Sequence, residues 1–169
     1  TVDWLGVRGH IEKAIAQIEH HDSQERFESM GCEVIRAPAR FLSRNSVNVD
    51  GRRLRAPRIV IATGSRPAIP PIDGIGQFPY LTNENLFRLN ELPRHLAIVG
   101  AGAIGMEMAQ AHRRLGAEVT VVEGLKALGK DDPECAEVVL RALRTEGITI
   151  HENTKVVRVE RRGKTGVRL

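Results

Sequence analysis

The apolar positions of this chain change their spacing three times. Ile11, Ile15 and Ile18 recur at helical spacing and predict a helix over residues 9–20, closed by His20 and His21 as a solvated end. Asp22 then predicts the cap of a short second helix, with Glu25 at the capping-box position and Gly31 as its stop. From residue 32 the pattern turns β-like. Residues 33–36 read as a short strand, and Phe41 closes a polar strip after Pro38. Val47 and Val49 alternate with Asn48 ahead of Asp50-Gly51, a hairpin signal, and Leu54 lies on the returning strand. Its neighbours Arg52, Arg53 and Arg55 are expected on an exposed strand face. Residues 58–62 read as a buried strand that runs into Thr63-Gly64-Ser65.

Pro67, Pro70, Pro71, Gly74 and Gly76 then make a stiff connector. A domain boundary is expected within residues 88–94, dividing the chain into 1–90 and 91–169. The second part repeats a simple order. A short apolar run at residues 96–99 predicts a buried strand, and Ile104, Met108, Ala111 and Leu115 predict the inward stripe of a helix that Gly116 stops. Residues 119–122 are a second apolar run ending on Glu123, and residues 124–130 are a loop. Asp132-Pro133 opens a second helix with Ala136, Val139, Leu140 and Leu143 inward and Gly147 at its end; residues 148–150 are a third strand. The order β-α-β-α-β with right-handed crossovers predicts one parallel sheet. Residues 155–160 and 167–169, around a turn at Gly163 and Gly166, are expected to add antiparallel strands. The fold class is α/β, a doubly wound, three-layer Rossmann-like fold with added antiparallel strands.

The chemistry lies at the first turn of that unit. Gly100, Gly102 and Gly105 stand in G-x-G-x-x-G spacing between a strand and a helix, and an acid ends the next strand. Gly100 allows a sharp exit from the strand. Gly102, lacking a side chain, allows a pyrophosphate to approach the backbone. Gly105, with Ala109 one turn on, lets the helix lie close on the sheet. The free N–H groups of the turn and helix start, at Ala103 and Ile104 among them, face the phosphates. Glu123 accepts from an adenosine ribose; it repels a 2′-phosphate and attracts a 2′-hydroxyl, which favours NAD over NADP. Lys126 and Lys130, on a flexible loop, keep NADP open. The alternative for the motif is a glycine-rich turn that only packs. A second signature, Ala62-Thr63-Gly64-Ser65-Arg66-Pro67, ends a strand on small residues. It fits a flat or phosphorylated ligand or, equally, a tight exit turn.

Composition narrows this picture. Of 169 residues 41% are hydrophobic, enough for a core, and 25 basic against 21 acidic residues leave a net charge of +4 with no basic tail. Aromatics at 4% offer few stacking platforms, so nucleic acid is not an expected partner. No apolar run approaches a membrane span, and no signal peptide opens the chain. Cys32 and Cys135 form no metal or redox motif and are expected as buried small residues, which fits a cytoplasmic, reducing setting. No metal site is expected. The chain opens on Thr1 rather than methionine and stops at Leu169 within an expected strand, so it is expected to be an internal piece of a larger protein.

Taken together, Ala62-Thr-Gly-Ser-Arg-Pro, the Pro/Gly connector, Leu81-Thr-Asn, Gly100-Ala-Gly-Ala-Ile-Gly-Met-Glu and Leu115-Gly-Ala-Glu-Val-Thr-Val-Val-Glu resemble the pyridine nucleotide–disulfide oxidoreductases. Within them the chain is most similar to dihydrolipoamide dehydrogenases and mercuric-reductase-like flavoproteins. The resemblance covers essentially the whole chain. It implies the later part of an FAD domain in residues 1–90 and an NAD(P) domain in 91–169. It further implies that the Thr63-Gly64 turn after Ala62 approaches FAD, and that Ala39 lies near its adenine. Glu107 matches an acid paired with a lysine beside the flavin; from the residues alone it reads as an ordinary exposed helix position. The family's first glycine motif, its C-x-x-x-x-C pair and its C-terminal dimerisation domain have no counterpart in these residues. The resemblance therefore implies a homodimeric parent, acting on a small-molecule, disulfide or metal-ion acceptor, and no turnover from this piece alone. Two other readings stay open. One is a flavin-free NAD dehydrogenase, although Tyr80, the single tyrosine, has no lysine near it in sequence. The other is a non-catalytic dinucleotide-binding or interaction module.

Overall fold

A computed structural model of the chain describes residues 2–163 and 166–169. They form two compact units: residues 9–67 make one, and residues 2–8 with 68–163 and 166–169 make the other.

Helix α1 (Trp4–His21) starts earlier than its isoleucine pattern predicts. The reason is Asp3, whose carboxylate accepts the Gly6 N–H at 3.1 Å and supplies the helix start that periodicity does not show. In α2 (Gln24–Ser29) the cap is Ser23, accepting from Arg26 N, rather than Asp22; Gly31 ends the helix with φ 87°. The hairpin signal is met. Strands β1 (Ala39–Ser43), β2 (Ser46–Val49) and β3 (Arg52–Arg55) form an antiparallel sheet in chain order. Asp50 and Gly51 both take positive φ, 50° and 78°, as a two-residue turn of the type that matches strand twist requires.

Two expected strands do not form. Residues 33–36 and 58–62 join no ladder among the described residues. Val60 and Ile61 are 87% and 70% exposed instead of buried. β-branched sequence fits a pleated, half-buried surface but does not provide the neighbour that makes a strand. In this chain Val60→Asp is expected to change stability by less than about 0.5 kcal/mol, the range for exposed positions; a loss of several kcal/mol in urea unfolding contradicts the exposed placement. The cysteines are a further correction. Both are exposed: Cys32 follows the Gly31 turn, and Cys135 stands on the first turn of a helix, off its inward stripe.

The larger unit carries the expected repeat. Strands β4 (His95–Val99), β5 (Glu118–Val122) and β6 (Thr149–His151) lie parallel in that spatial order, joined by α3 (Ala103–Arg114) and α4 (Pro133–Thr145). Val99 of edge strand β4 is exposed rather than buried. The α3 stripe is also rotated from its expected face. Met106, Ala109 and His112 are buried, whereas Ile104 is 61% exposed, because Gly105 must face the strand and carries its i+4 and i+7 neighbours inward. In α4, Ala136, Leu140 and Leu143 are buried and Val139 is exposed. The helices are clamped together at Glu146. Its carboxylate accepts from Gln110 at 2.8 Å and from Arg114 at 2.7 and 2.9 Å, and its carbonyl accepts from Arg113 Nε at 2.8 Å.

The connector is pinned at Asp73, which pairs in parallel with Arg158 as an isolated bridge. Gly74 takes φ 78° there, and a Cβ on it would lie 2.5 Å from the Val159 carbonyl oxygen. Of residues 155–160 only Glu160 enters a ladder, as the start of β7 (Glu160–Arg162), antiparallel to β8 (Gly166–Arg168). The middle of the expected turn, Lys164 and Thr165, lies outside the described residues. No described helix is long and apolar enough to cross a membrane.

Candidate dinucleotide site

The site is built where β4 ends. The ladder carries one step beyond the strand, Gly100 N–H donating to Val122 O at 2.9 Å, and the chain then turns sharply with Gly100 at φ 106°. Gly102 is the N-cap of α3, at φ −78° and ψ 177°, a conformation open to any residue. A Cβ there meets nothing of the protein within 4 Å. Gly105 is different: a Cβ would lie 2.3 Å from the Gly100 carbonyl oxygen and 3.6 Å from Ile98 Cγ2. The two glycines therefore have separate causes. Gly105 lets the helix seat on the strand, and Gly102 keeps the space in front of the turn empty.

The N-terminus of α3 is open to an anion. No side chain caps it, and its first turn holds no acid. The first N–H groups of a helix have no intrahelical partner, so those at Ala103, Ile104 and Gly105 point outward with the positive end of the helix dipole. Helix α4 in the same unit shows the contrast. Its N-terminus is filled by Asp132, which accepts from Glu134 N at 3.0 Å and Cys135 N at 3.2 Å.

Glu123 lies directly beside the turn. Its Oε2 accepts the Ala101 N–H at 2.9 Å and its Oε1 the Leu125 N–H at 2.8 Å. Those amides, Ala101 first, hold its carboxyl below the usual glutamate range against the opposing effect of partial burial. It is thus an ionised acceptor that ties the glycine turn to the next loop. Each carboxylate oxygen keeps a further lone pair for a ribose hydroxyl.

The remaining expected site residues fall into two places. Glu107 is exposed on α3, beside a groove of about 280 Å³ that Asp131, Cys135 and Val139 also line. Ala39, Ala62, Thr63 and Gly64 belong to the other compact unit and are exposed; Gly64 takes φ 69°. Sequence reasoning missed Glu152. Its Oε1 accepts the Ala127 N–H at 2.9 Å, and its Oε2 pairs with Arg144 at 2.7 Å. The signal was present: Glu152 follows β6 as Glu123 follows β5.

The family model described as pyridine nucleotide-disulphide oxidoreductase matches residues 4–169. The chain belongs to this family. It is 33% identical to a mercuric reductase of Lysinibacillus sphaericus over 164 residues, covering 96% of this chain and 30% of that protein. Among solved structures it is similar to LpdA of Mycobacterium tuberculosis, with a TM-score of 0.74 and 29% identity over 92% of this chain and 36% of that one. It is also similar to the Cu(II) complex of RclA, an HOCl-induced flavoprotein disulfide reductase of Escherichia coli. There the TM-score is 0.68 and the identity 33%, over 80% of this chain and 31% of that one. The chain thus spans about a third of the length of these relatives. Membership accounts for the Rossmann-like β-α-β-α-β unit.

Proposed function

We propose that this chain carries the nicotinamide-dinucleotide site of an FAD-dependent oxidoreductase that passes hydride between NADH and flavin. The observation that carries the reading is the uncapped N-terminus of α3, with clear space in front of Gly102 and the ionised Glu123 beside it. In this reading Gly102, Ala103, Ile104 and Gly105 bind the pyrophosphate through backbone N–H groups. Gly100 shapes the turn, and Glu123 accepts from the adenosine ribose. The dinucleotides supply the hydride chemistry; the protein supplies binding and orientation. Ala39, Ala62, Thr63 and Gly64 are the proposed FAD contacts, and Glu107 the proposed acid on the flavin side of α3. Residues 1–90 and 91–169 are the proposed FAD-domain and NAD-domain parts.

The names of the relatives, a mercuric reductase and a flavoprotein disulfide reductase, support a metal-ion or disulfide acceptor. The parent we propose is a longer, cytoplasmic homodimer. The two cysteines, Cys32 and Cys135, cannot form a C-x-x-x-x-C pair, so the chain alone is expected to bind NADH without reducing such an acceptor. Calorimetry with NADH and NADPH tests the cofactor reading. Tighter NADH binding is the expected result, because Glu123 repels a 2′-phosphate. Binding of neither dinucleotide overturns the site, and tighter NADPH binding overturns the assignment to NAD.

A further inference from the structure

We infer that Glu152 is a positioning residue for cofactor choice: it holds the loop after Glu123 so that Lys126 is kept from a 2′-phosphate. The inference rests on the nicotinamide-dinucleotide reading above. A free 2′-hydroxyl needs only an acceptor such as Glu123. A 2′-phosphate needs a cation brought to it. Residues 124–130 leave β5 at that acceptor and carry two cations, Lys126 and Lys130. Cofactor choice therefore depends on how freely this loop moves.

The loop is fastened on both sides of Lys126. Leu125 N–H donates to Glu123 at 2.8 Å, and Leu125 O accepts from Asn153 N at 2.9 Å. Ala127 N–H donates to Glu152 at 2.9 Å, and Leu128 N–H donates to Ala101 O at 2.8 Å in the glycine turn itself. Ala127 and Leu128 are buried, whereas Lys126 is exposed. Thr154 N–H donating to Glu123 O at 2.8 Å closes the same seam. Of the bonds that hold the loop, the one to Ala127 is made by a side chain that is not itself the ribose acceptor. Arg144, on the last turn of α4, fixes the other oxygen of Glu152 at 2.7 Å and so orients it toward the loop. Removing Glu152 frees the backbone next to Lys126 and loosens the loop that orders Glu123 through the Leu125 amide, while taking away no bond that Glu152 itself makes to Glu123, Gly102 or the start of α3.

The test measures NADH and NADPH affinities for the wild-type chain, Glu152→Ala, Glu152→Gln and the double variant Glu152→Ala/Lys126→Ala. Glu152→Ala is expected to weaken NADH about three- to tenfold, the effect of one ordering hydrogen bond. NADPH holds or tightens, so the ratio between the two narrows. Lys126→Ala in that background restores the ratio. Glu152→Gln keeps an acceptor for the Ala127 amide and holds the wild-type ratio. An unchanged ratio in Glu152→Ala, or an equal loss for both dinucleotides with lower Tm, overturns the inference and leaves the cofactor reading standing. So does a narrowed ratio that Lys126→Ala does not restore, or Glu152→Gln behaving as alanine. A wild-type chain that binds neither dinucleotide overturns both.

Discussion

Gly105→Ala is expected to lower the Tm of the nucleotide unit by roughly 12–15 °C, the equivalent of roughly 3 kcal/mol, and to abolish NADH binding. The added Cβ would stand 2.3 Å from the Gly100 carbonyl oxygen, a backbone atom that no rotamer change can move aside. Helix α3 must lift from β4, which opens the packing at Met106 and Ala109 and misaligns the N–H groups of its first turn. Gly102→Ala provides the contrast. Its methyl meets no protein atom within 4 Å, and its backbone angles suit alanine. Stability is expected to fall by at most about 1 kcal/mol, the difference between glycine and alanine at an N-cap. NADH affinity is expected to fall more than tenfold, because the methyl occupies the space in which a phosphate approaches. Thermal unfolding and calorimetry on both variants separate these effects. If Gly102→Ala binds NADH as the wild type does, no phosphate sits on this turn.

Glu123→Gln is expected to cost about 1.5–3 kcal/mol near neutral pH, since a carboxamide nitrogen cannot accept the second backbone amide and the charge is lost. The cost depends on pH in a fixed direction. The folded pKa of Glu123 is depressed by the Ala101 and Leu125 amides, so the unfolded state takes up the proton first. Its contribution is therefore complete above the unfolded value of about 4.3 and is lost as pH falls through the lower folded value. Tm measured for wild type and Glu123→Gln from neutral to acid pH should differ most at neutral pH and converge at the acid end. A difference that stays constant over that range would falsify the assignment of an ionised Glu123. NADH affinity is expected to fall roughly tenfold or more in the same variant, with NADPH affected less, since the repulsion of its 2′-phosphate is removed.

The nucleotide unit was legible in the sequence because its signals are local. Gly100, Gly102, Gly105 and Glu123 are fixed by a strand end, a helix start and the next strand end, all within one crossover. Asp132 with Pro133 and the Asp50-Gly51 hairpin are likewise written in adjacent residues. The readings that failed depended on neighbours distant in sequence. A strand at residues 58–62 needs another strand beside it, and burial of Cys32 or Cys135 needs a surface to cover it. The inward face of α3 is set by where Gly105 meets Ile98, which periodicity alone places one face away.

By itself, the sequence determined the β-α-β-α-β order, the glycine turn that opens α3 and the acid that ends β5, because each follows from backbone conformation and from residues a few positions apart. Only the tertiary structure decided that Glu123 is spanned by two backbone amides and that Glu152 fastens the Lys126 loop from the end of another strand. Those contacts cross parallel strands joined by whole helices; the position of an acid after a strand is visible along the chain, but the backbone amide it reaches is not.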